Sequence, residues 1–424
     1  VHASERPLTI MPGMQYVTVE TRNQPSTIEE DMNGFASKDA VLPTTDSRTG
    51  LQALRVLLGQ RSVLATLEVL HANLGDVFQI PLRGFEPVVL VGAEANRQVL
   101  VTDRDSLRWR NENDPVTQLL RHGMLVEDGA SHDRVRAYVA PFFHRRRALA
   151  HVEAMTDYVD GTIGKWQDGT PHDMRVEMRK LALLILMGTL FGVEFDADLE
   201  RLWPTILRVI DYISPGLWIV WRAVPRLRYR QALEQMDEYL YRIIRERRTA
   251  PTKPDDLLTH LVNNPVMDDG LIRDQVLTLL IAGHDTSTAS LAWMLYLLGR
   301  HPDVLARAQV EVDAVLNREP PSADKLDRLV YLEQIFKETL RLYPPIHVGN
   351  RVVVAPMTVR GYRIPVGKRL MYSIYLTHRN PHDWDDPTRF DPQRFANGQT
   401  PTHSALAYVP FGAGPRHCIG AAFA

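Results

Sequence analysis

Cysteine is almost missing from this chain: 424 residues contain one, Cys418. A single cysteine excludes an intramolecular disulfide framework and fits a reducing compartment. It also excludes a thiolate-rich zinc site, because no second cysteine supplies a short-spaced ligand set. Charge of one sign is lacking too: 49 Lys and Arg stand against 51 Asp and Glu, a formal net charge of -2. With no long Lys/Arg block either, nucleic acid is not an expected partner. The longest apolar run, residues 181–193, is too short to span a bilayer and reads as a buried helix. Secretory signal, internal repeat and flavin or nicotinamide fingerprint are all missing. What remains is ordinary globular composition, 45% hydrophobic and 24% charged, with ample chain for a large core.

Residues 1–45 are polar and aperiodic, so poor order is expected there, ahead of one domain over residues 46–424. Helical periodicity covers residues 51–72, then 93–101, most of 141–300, 302–317 and 329–342, the last stopped by Pro344-Pro345. Strand patterns occur at residues 77–82 and 87–91, joined as a hairpin through 83–86. Others follow at 351–354, 358–360 and 362–364, with Gly361 marking a turn. The layout is mainly α with a small β region, an α+β fold whose strands lie near both ends.

Cys418 lies in Pro410-Phe411-Gly412-Ala413-Gly414-Pro415-Arg416-His417-Cys418-Ile419-Gly420. A lone cysteine is a buried small hydrophobe, a nucleophile or a metal ligand. Three glycines let the backbone approach a flat partner closely. Arg416 can favour thiolate over thiol, and backbone N–H groups of such a turn can donate to a sulfur anion. This favours a metal whose other ligands come from a macrocycle. Three further constellations stand out. Ile281-Ala282-Gly283-His284-Asp285-Thr286-Ser287-Thr288 puts a polar row inside an apolar helix over residues 271–300. There Thr286 can bond back to the carbonyl near Ala282 and open the helix locally. Glu338 and Arg341, at i and i+3, share a helix face, and Asp391-Pro392-Gln393-Arg394-Phe395 follows. His132 and Arg136, at i and i+4, share another face.

Together these motifs resemble those of the cytochromes P-450. The resemblance rests on Phe411-Gly412-x-Gly414-x-Arg416-x-Cys418-x-Gly420, on Ala282-Gly283-x-Asp285-Thr286, on Glu338-x-x-Arg341 and on Pro392-x-Arg394-Phe395. They occur in family order between His132 and Gly420. The resemblance implies the cytochrome P-450 fold of a soluble bacterial-type member, with haem b (iron protoporphyrin IX) held by Cys418 as axial iron ligand. It implies that Phe411 and Gly420 border the cofactor, and that His132, Arg136, Arg351 and Arg416 contact its propionates. Asp285 and Thr286 become an acid–alcohol pair that delivers protons during oxygen activation. Glu338, Arg341 and Arg394 become a buried structural triad bracing the cysteine loop. The implied activity is insertion of one oxygen atom of O2 into a hydrophobic substrate, fatty acid-like or terpenoid-like. The alternatives are a haem sensor or carrier without turnover, or a peroxide-driven or isomerising member of the fold. Family members continue beyond the point where this chain stops, so the domain reads as incomplete at its C-terminus.

Substrate-pocket candidates are Val116, Leu119, Leu120, Met124, Leu125, Leu277, Ile281, Ala282, Ile346 and His347. All but His347 are apolar, which favours a hydrophobic small molecule. Leu217-Trp218-Ile219-Val220-Trp221 falls where the family has its substrate lid, with possible peripheral membrane contact. Electrons originate from NAD(P)H and arrive through a ferredoxin- or flavodoxin-type partner, or a reductase fused beyond Ala424. Arg145-Arg146-Arg147 could dock an acidic redox protein. The expected location is the cytoplasm.

Overall fold

A computed structural model describes residues 41–82, 84–214, 226–398 and 404–424. The chain opens with helices α1 (Ser47–Gln60) and α2 (Val63–Leu74), where one continuous helix was expected. The break falls at Arg61, whose left-handed φ of 52° ends α1, and Ser62 caps α2 by accepting from the Ala65 N–H. The expected hairpin is β1 (Val77–Gln79) and β2 (Val88–Leu90), antiparallel with Val77 opposite Leu90. Residues 41–45 read as part of the aperiodic N-terminal stretch, yet they are paired: Pro43 accepts from the Gln79 N–H at 2.8 Å, and Thr44 bridges Gln79.

Helix α3 (Ala93–Arg97) widens into a π-turn over Gln98–Thr102. Strand β3 (Leu107–Arg108) precedes α4 (Pro115–Leu120), α5 (Gly129–Val139), α6 (Arg145–Ala150), α7 (Val152–Ile163) and α8 (Met174–Ile185). Then come α9 (Asp196–Ile213), α10 (Arg230–Thr249), α11 (Leu257–Val262) and α12 (Asp269–Arg300). Helices α13 (Pro302–Leu316), α14 (Ala323–Leu326) and α15 (Val330–Leu342) lead to β4 (Val348–Val353), β5 (Met357–Val359), β6 (Tyr362–Ile364), β7 (Arg369–Ser373) and α16 (Ile374–Thr377). Helix dominates and the strands sit near both ends, as the sequence pattern implies. Strands β3 and β7 were not anticipated; both are completed by pairing with β4.

The five-stranded sheet runs β1-β2-β7-β4-β3, so the early hairpin joins the late strands through the parallel β2–β7 pair. Strands β5 and β6 form a separate hairpin whose turn places Arg360 and Gly361 at positive φ, the geometry that suits a two-residue connection. Helix α12 is the spine. Asp268 caps its start by accepting from the Leu271 N–H at 2.7 Å. Residues 272–281 are all buried, so this stretch is enclosed on every side rather than amphipathic. The largest apolar cluster gathers α4, α5, α8, α9, α10 and α12, and Ile419 and Phe423 pack against it. The cysteine segment thus meets the helical body through ordinary core packing.

Candidate active site

The cysteine loop is shaped by backbone demands. Gly412 and Gly414 have φ of 70° and 64°, values that most side chains resist. A Cβ on Gly414 would also lie 2.3 Å from the Leu100 carbonyl oxygen, so the loop can approach the π-turn only as glycine. The Cys418 N–H donates to Phe411 O at 2.8 Å and closes the loop, while Arg136 Nη2 donates to His417 O at 2.7 Å. Cys418 presents accessible surface, yet its sulfur lies deep among protein atoms. Burial is the larger influence and pushes the thiol pKa up; the Gly420 N–H and then Arg136 pull it down. The cation acting on the sulfur is therefore Arg136, not Arg416. Arg416 turns away to pair with Asp128 at 2.6 Å and donates to the Glu127 and Leu125 carbonyls.

His132, Arg136, Arg351 and Arg416 form one electropositive group. Burial lowers the Arg416 pKa, and Arg351 lowers it further against the pull of Asp128. His132 is buried; burial lowers its pKa first, Asp133 raises it, and Arg416 and Arg136 lower it again. Arg351 is 8% exposed and donates to Asn350 O at 2.7 Å, with its guanidinium over the Tyr372 ring. Three arginines gathered around a buried histidine call for anionic partners.

Glu338 and Arg341 lie side by side on α15 and are both fully buried. Two parallel bonds of 2.6 and 2.7 Å join them. Arg341 spends its other three N–H groups on the carbonyls of His378, Pro387 and Arg389. Glu338 also accepts from the Asp391 N–H at 2.9 Å, and Arg394 Nε stands 3.3 Å from the same carboxylate. The three residues expected as a triad do meet. A fourth was missed. His378 Nδ1 donates to Arg341 O at 3.2 Å, and Nε2 accepts from the Val409 N–H at 2.9 Å, which sets the tautomer. Burial, then Arg341, lowers its pKa to about 3. His378 thus ties α15 to the strand-like approach of the cysteine loop.

On α12, Thr286 Oγ1 donates to Ala282 O at 2.7 Å, as expected. The helix does not open there: it is a continuous α-helix from Asp269 to Arg300. Gly283 serves packing instead, since a Cβ would sit 3.2 Å from the side chain of Leu186, in a second π-turn (Leu186–Leu190) that follows α8. Asp285 is held by Arg179 of α8 at 2.6 Å, a partner with no signal in sequence spacing. His284 Nδ1 bonds Leu280 O at 2.6 Å, and burial leads in lowering its pKa.

Leu119, Leu120, Met124, Leu277 and Ile281 are brought together in the main apolar cluster, with Val116 packed against it. Ala282, Leu125, Ile346 and His347 are exposed. Burial of the His347 ring nevertheless leads in lowering its pKa, with Arg379 adding to it. Residues 217–221 lie outside the described residues. Arg145 pairs with Asp327, and Arg147 with Asp255 at 2.9 Å. Sequence reading also missed Arg273, Asp274 and Gln275. Their signal was available, as three consecutive polar residues in the mostly apolar stretch 271–282.

Comparison with known proteins gives the family. The family model "Cytochrome P450" matches residues 53–424. The cyclooctat-9-en-7-ol 5-monooxygenase of Streptomyces melanosporofaciens is 31% identical over 359 residues, 82% of this chain and 78% of that protein. The pentalenene oxygenase of Streptomyces avermitilis is 31% identical over 364 residues, 82% and 80% of the two chains. Retinoic acid-bound cyanobacterial CYP120A1 superposes with a TM-score of 0.74 at 25% identity, covering 86% of this chain and 85% of its own. The chain belongs to the cytochrome P450 family. It is a haem-thiolate monooxygenase that inserts one oxygen atom of O2 into a hydrophobic organic substrate, with electrons from NAD(P)H reaching it through a redox partner. The residues present fit haem b: one thiol-bearing loop with a close N–H donor, and a cluster of cations suited to two propionates. No helix among the described residues is long and apolar enough to cross a membrane.

Proposed function

We propose that the protein hydroxylates a terpenoid-like hydrocarbon skeleton, with Cys418 as the iron ligand. Bound haem supplies the one-electron and O2 chemistry, which no side chain provides. His132, Arg136, Arg351 and Arg416 hold its propionates, and Phe411 and Gly420 border it. The Gly420 N–H and Arg136 favour the thiolate but only partly offset burial, and iron binding would supply the rest. Asp285 and Thr286 move protons: the half-exposed Asp285 carboxylate exchanges with solvent, and Thr286 Oγ1 passes the proton inward. The Arg179 pair must loosen for Asp285 to do so. Apolar Leu120, Leu125, Leu277, Ile281, Ala282 and Ile346 favour a ligand without charge, and His347, the polar exception among these candidates, would address a substrate oxygen. The observation that carries the substrate class is the pair of relatives, each 31% identical over most of its length, named for cyclooctat-9-en-7-ol and pentalenene. A ferredoxin- or flavodoxin-type partner in the cytoplasm, or a reductase fused beyond Ala424, docking at Arg145–Arg147, completes the reading.

The test is turnover with a surrogate electron donor on cyclic terpene hydrocarbons and fatty acids, with products read by mass spectrometry. Oxygenated terpenes are expected; oxidation of fatty acids alone would overturn the substrate class. Thr286→Ala should keep haem and substrate binding while diverting electrons to peroxide. Coupling at the parental level would remove the acid–alcohol reading.

A further inference from the structure

The fully buried stretch of α12, residues 272–281, carries three adjacent polar residues, Arg273, Asp274 and Gln275, 2%, 3% and 1% exposed. Such groups are tolerated only when paired. Their partners are unusual in being largely the backbone of one segment, residues 119–124, the end of α4 and the loop that follows it. Arg273 Nη1 donates to Leu119 O at 2.9 Å. Asp274 Oδ2 accepts from the His122 N–H at 3.1 Å. Gln275 Oε1 accepts from the Met124 N–H at 2.8 Å, and its Nε2 donates to His122 O at 3.0 Å. Asp237 of α10 holds the cluster from the far side, taking Arg273 Nε at 2.7 Å and Arg121 Nη2 at 2.6 Å.

The loop is pressed onto the helix. A Cβ on Gly123 would lie 1.8 Å from Thr278 Oγ1 and 3.0 Å from Asp274 O, so no side chain fits there. Arg121 is held at φ 50° and ψ -94°, a backbone state that a non-glycine residue keeps only under restraint. Its carbonyl takes a further bond of 2.7 Å from Arg110. Leu119, Leu120 and Met124, carried by this segment, join Leu277 and Ile281 in one apolar cluster.

We propose that Arg273, Asp274 and Gln275 are a specificity-determining latch, which fixes the 119–124 backbone and thereby the shape of the pocket roof. These are positioning residues: they reach the ligand through Leu119, Leu120 and Met124. The inference rests on the reading of those three side chains as pocket lining. Apolar contacts alone would let the loop slide over α12 with little directional penalty. Four backbone groups bonded to three successive helix residues admit one register. A roof set this way discriminates ligands by shape at little ordering cost on binding.

Two azoles of different size test the latch in the haem-loaded enzyme, through their spectral shifts on binding iron. Imidazole needs little roof; 4-phenylimidazole needs much. Gln275→Met keeps side-chain length and strips both bonds to the loop. The ratio of the two Kd values should move by about tenfold, with imidazole itself within about twofold. Global destabilisation would not change that ratio. Trypsin should cut after Arg121 faster in the variant than in the parent. Asp237→Asn, outside the helix, should shift the ratio in the same direction and serves if Gln275→Met does not accumulate. Ala282→Leu is the control for the pocket itself. If Ala282→Leu weakens 4-phenylimidazole while both latch variants leave the ratio and the tryptic rate unchanged, the latch is overturned and the pocket stands. If Ala282→Leu also has no effect, the pocket reading fails and the latch with it.

Discussion

The brace around Arg341 and the latch around Arg273 solve one problem in two places. Each fixes a loop by offering buried charge to its backbone. Arg341 satisfies all five of its N–H donors, two on Glu338 and three on carbonyls of residues 378, 387 and 389. Arg273 bonds Leu119 O, Asp274 and Asp237. The difference lies in where partners come from. The brace pairs residues three apart on one helix and draws its other partners from one later stretch. The latch joins α12 and α10 to the segment at the end of α4, which lies more than a hundred residues before either helix. Short sequence separation lets a buried ion pair form locally and leaves a motif. A network assembled across the core leaves no fixed spacing to recognise.

The comparison breaks if the cysteine loop that the brace holds does not carry the iron ligand. Cys418→Ser should abolish the red-shifted Soret band of the reduced carbon monoxide adduct altogether, and an unchanged spectrum would sink the assignment. Next in size is the brace itself. Arg341→Ala leaves Glu338 buried without its cation, at a cost on the order of 3–5 kcal/mol. Little haem-loaded protein should accumulate; a variant that melts and retains haem like the parent would reduce the brace to decoration.

His378 sharpens the comparison through pH. Its folded pKa of about 3 lies below the ordinary value of 6.5, so the neutral ring is the stabilising form. That contribution is fully present above pH 6.5 and is lost as pH falls toward 3. His378→Leu leaves the Val409 N–H and Arg341 carbonyl unpaired, costing on the order of 1–3 kcal/mol at neutral pH. Denaturant melts should show this gap narrowing between pH 6.5 and 3; a constant gap would mean that His378 acts by packing alone. The smallest effect belongs to the surface. Arg147, 39% exposed opposite an Asp255 that is 79% exposed, should lose no more than about 0.5 kcal/mol on replacement by alanine. A larger loss would erase the contrast between buried and exposed pairs.

Much of this protein was legible in its residues. Cys418 with its glycines, Asp285-Thr286, Glu338 with Arg341, and the mainly helical layout all follow from short-range spacing. Such spacing works because helix faces and tight turns have fixed geometry. The tertiary structure decided the rest. Strands β3 and β7 exist because β4 offers them hydrogen bonds, not because two or five residues insist on extension. Arg136, far away in sequence, is the cation acting on Cys418, whereas the nearer Arg416 is paired with Asp128. Gly283 packs against Leu186 rather than opening its helix. Local chemistry names the atoms that can react. Which charges and backbone groups stand beside them depends on contacts between distant segments, since electrostatics and packing act through space and not along the chain.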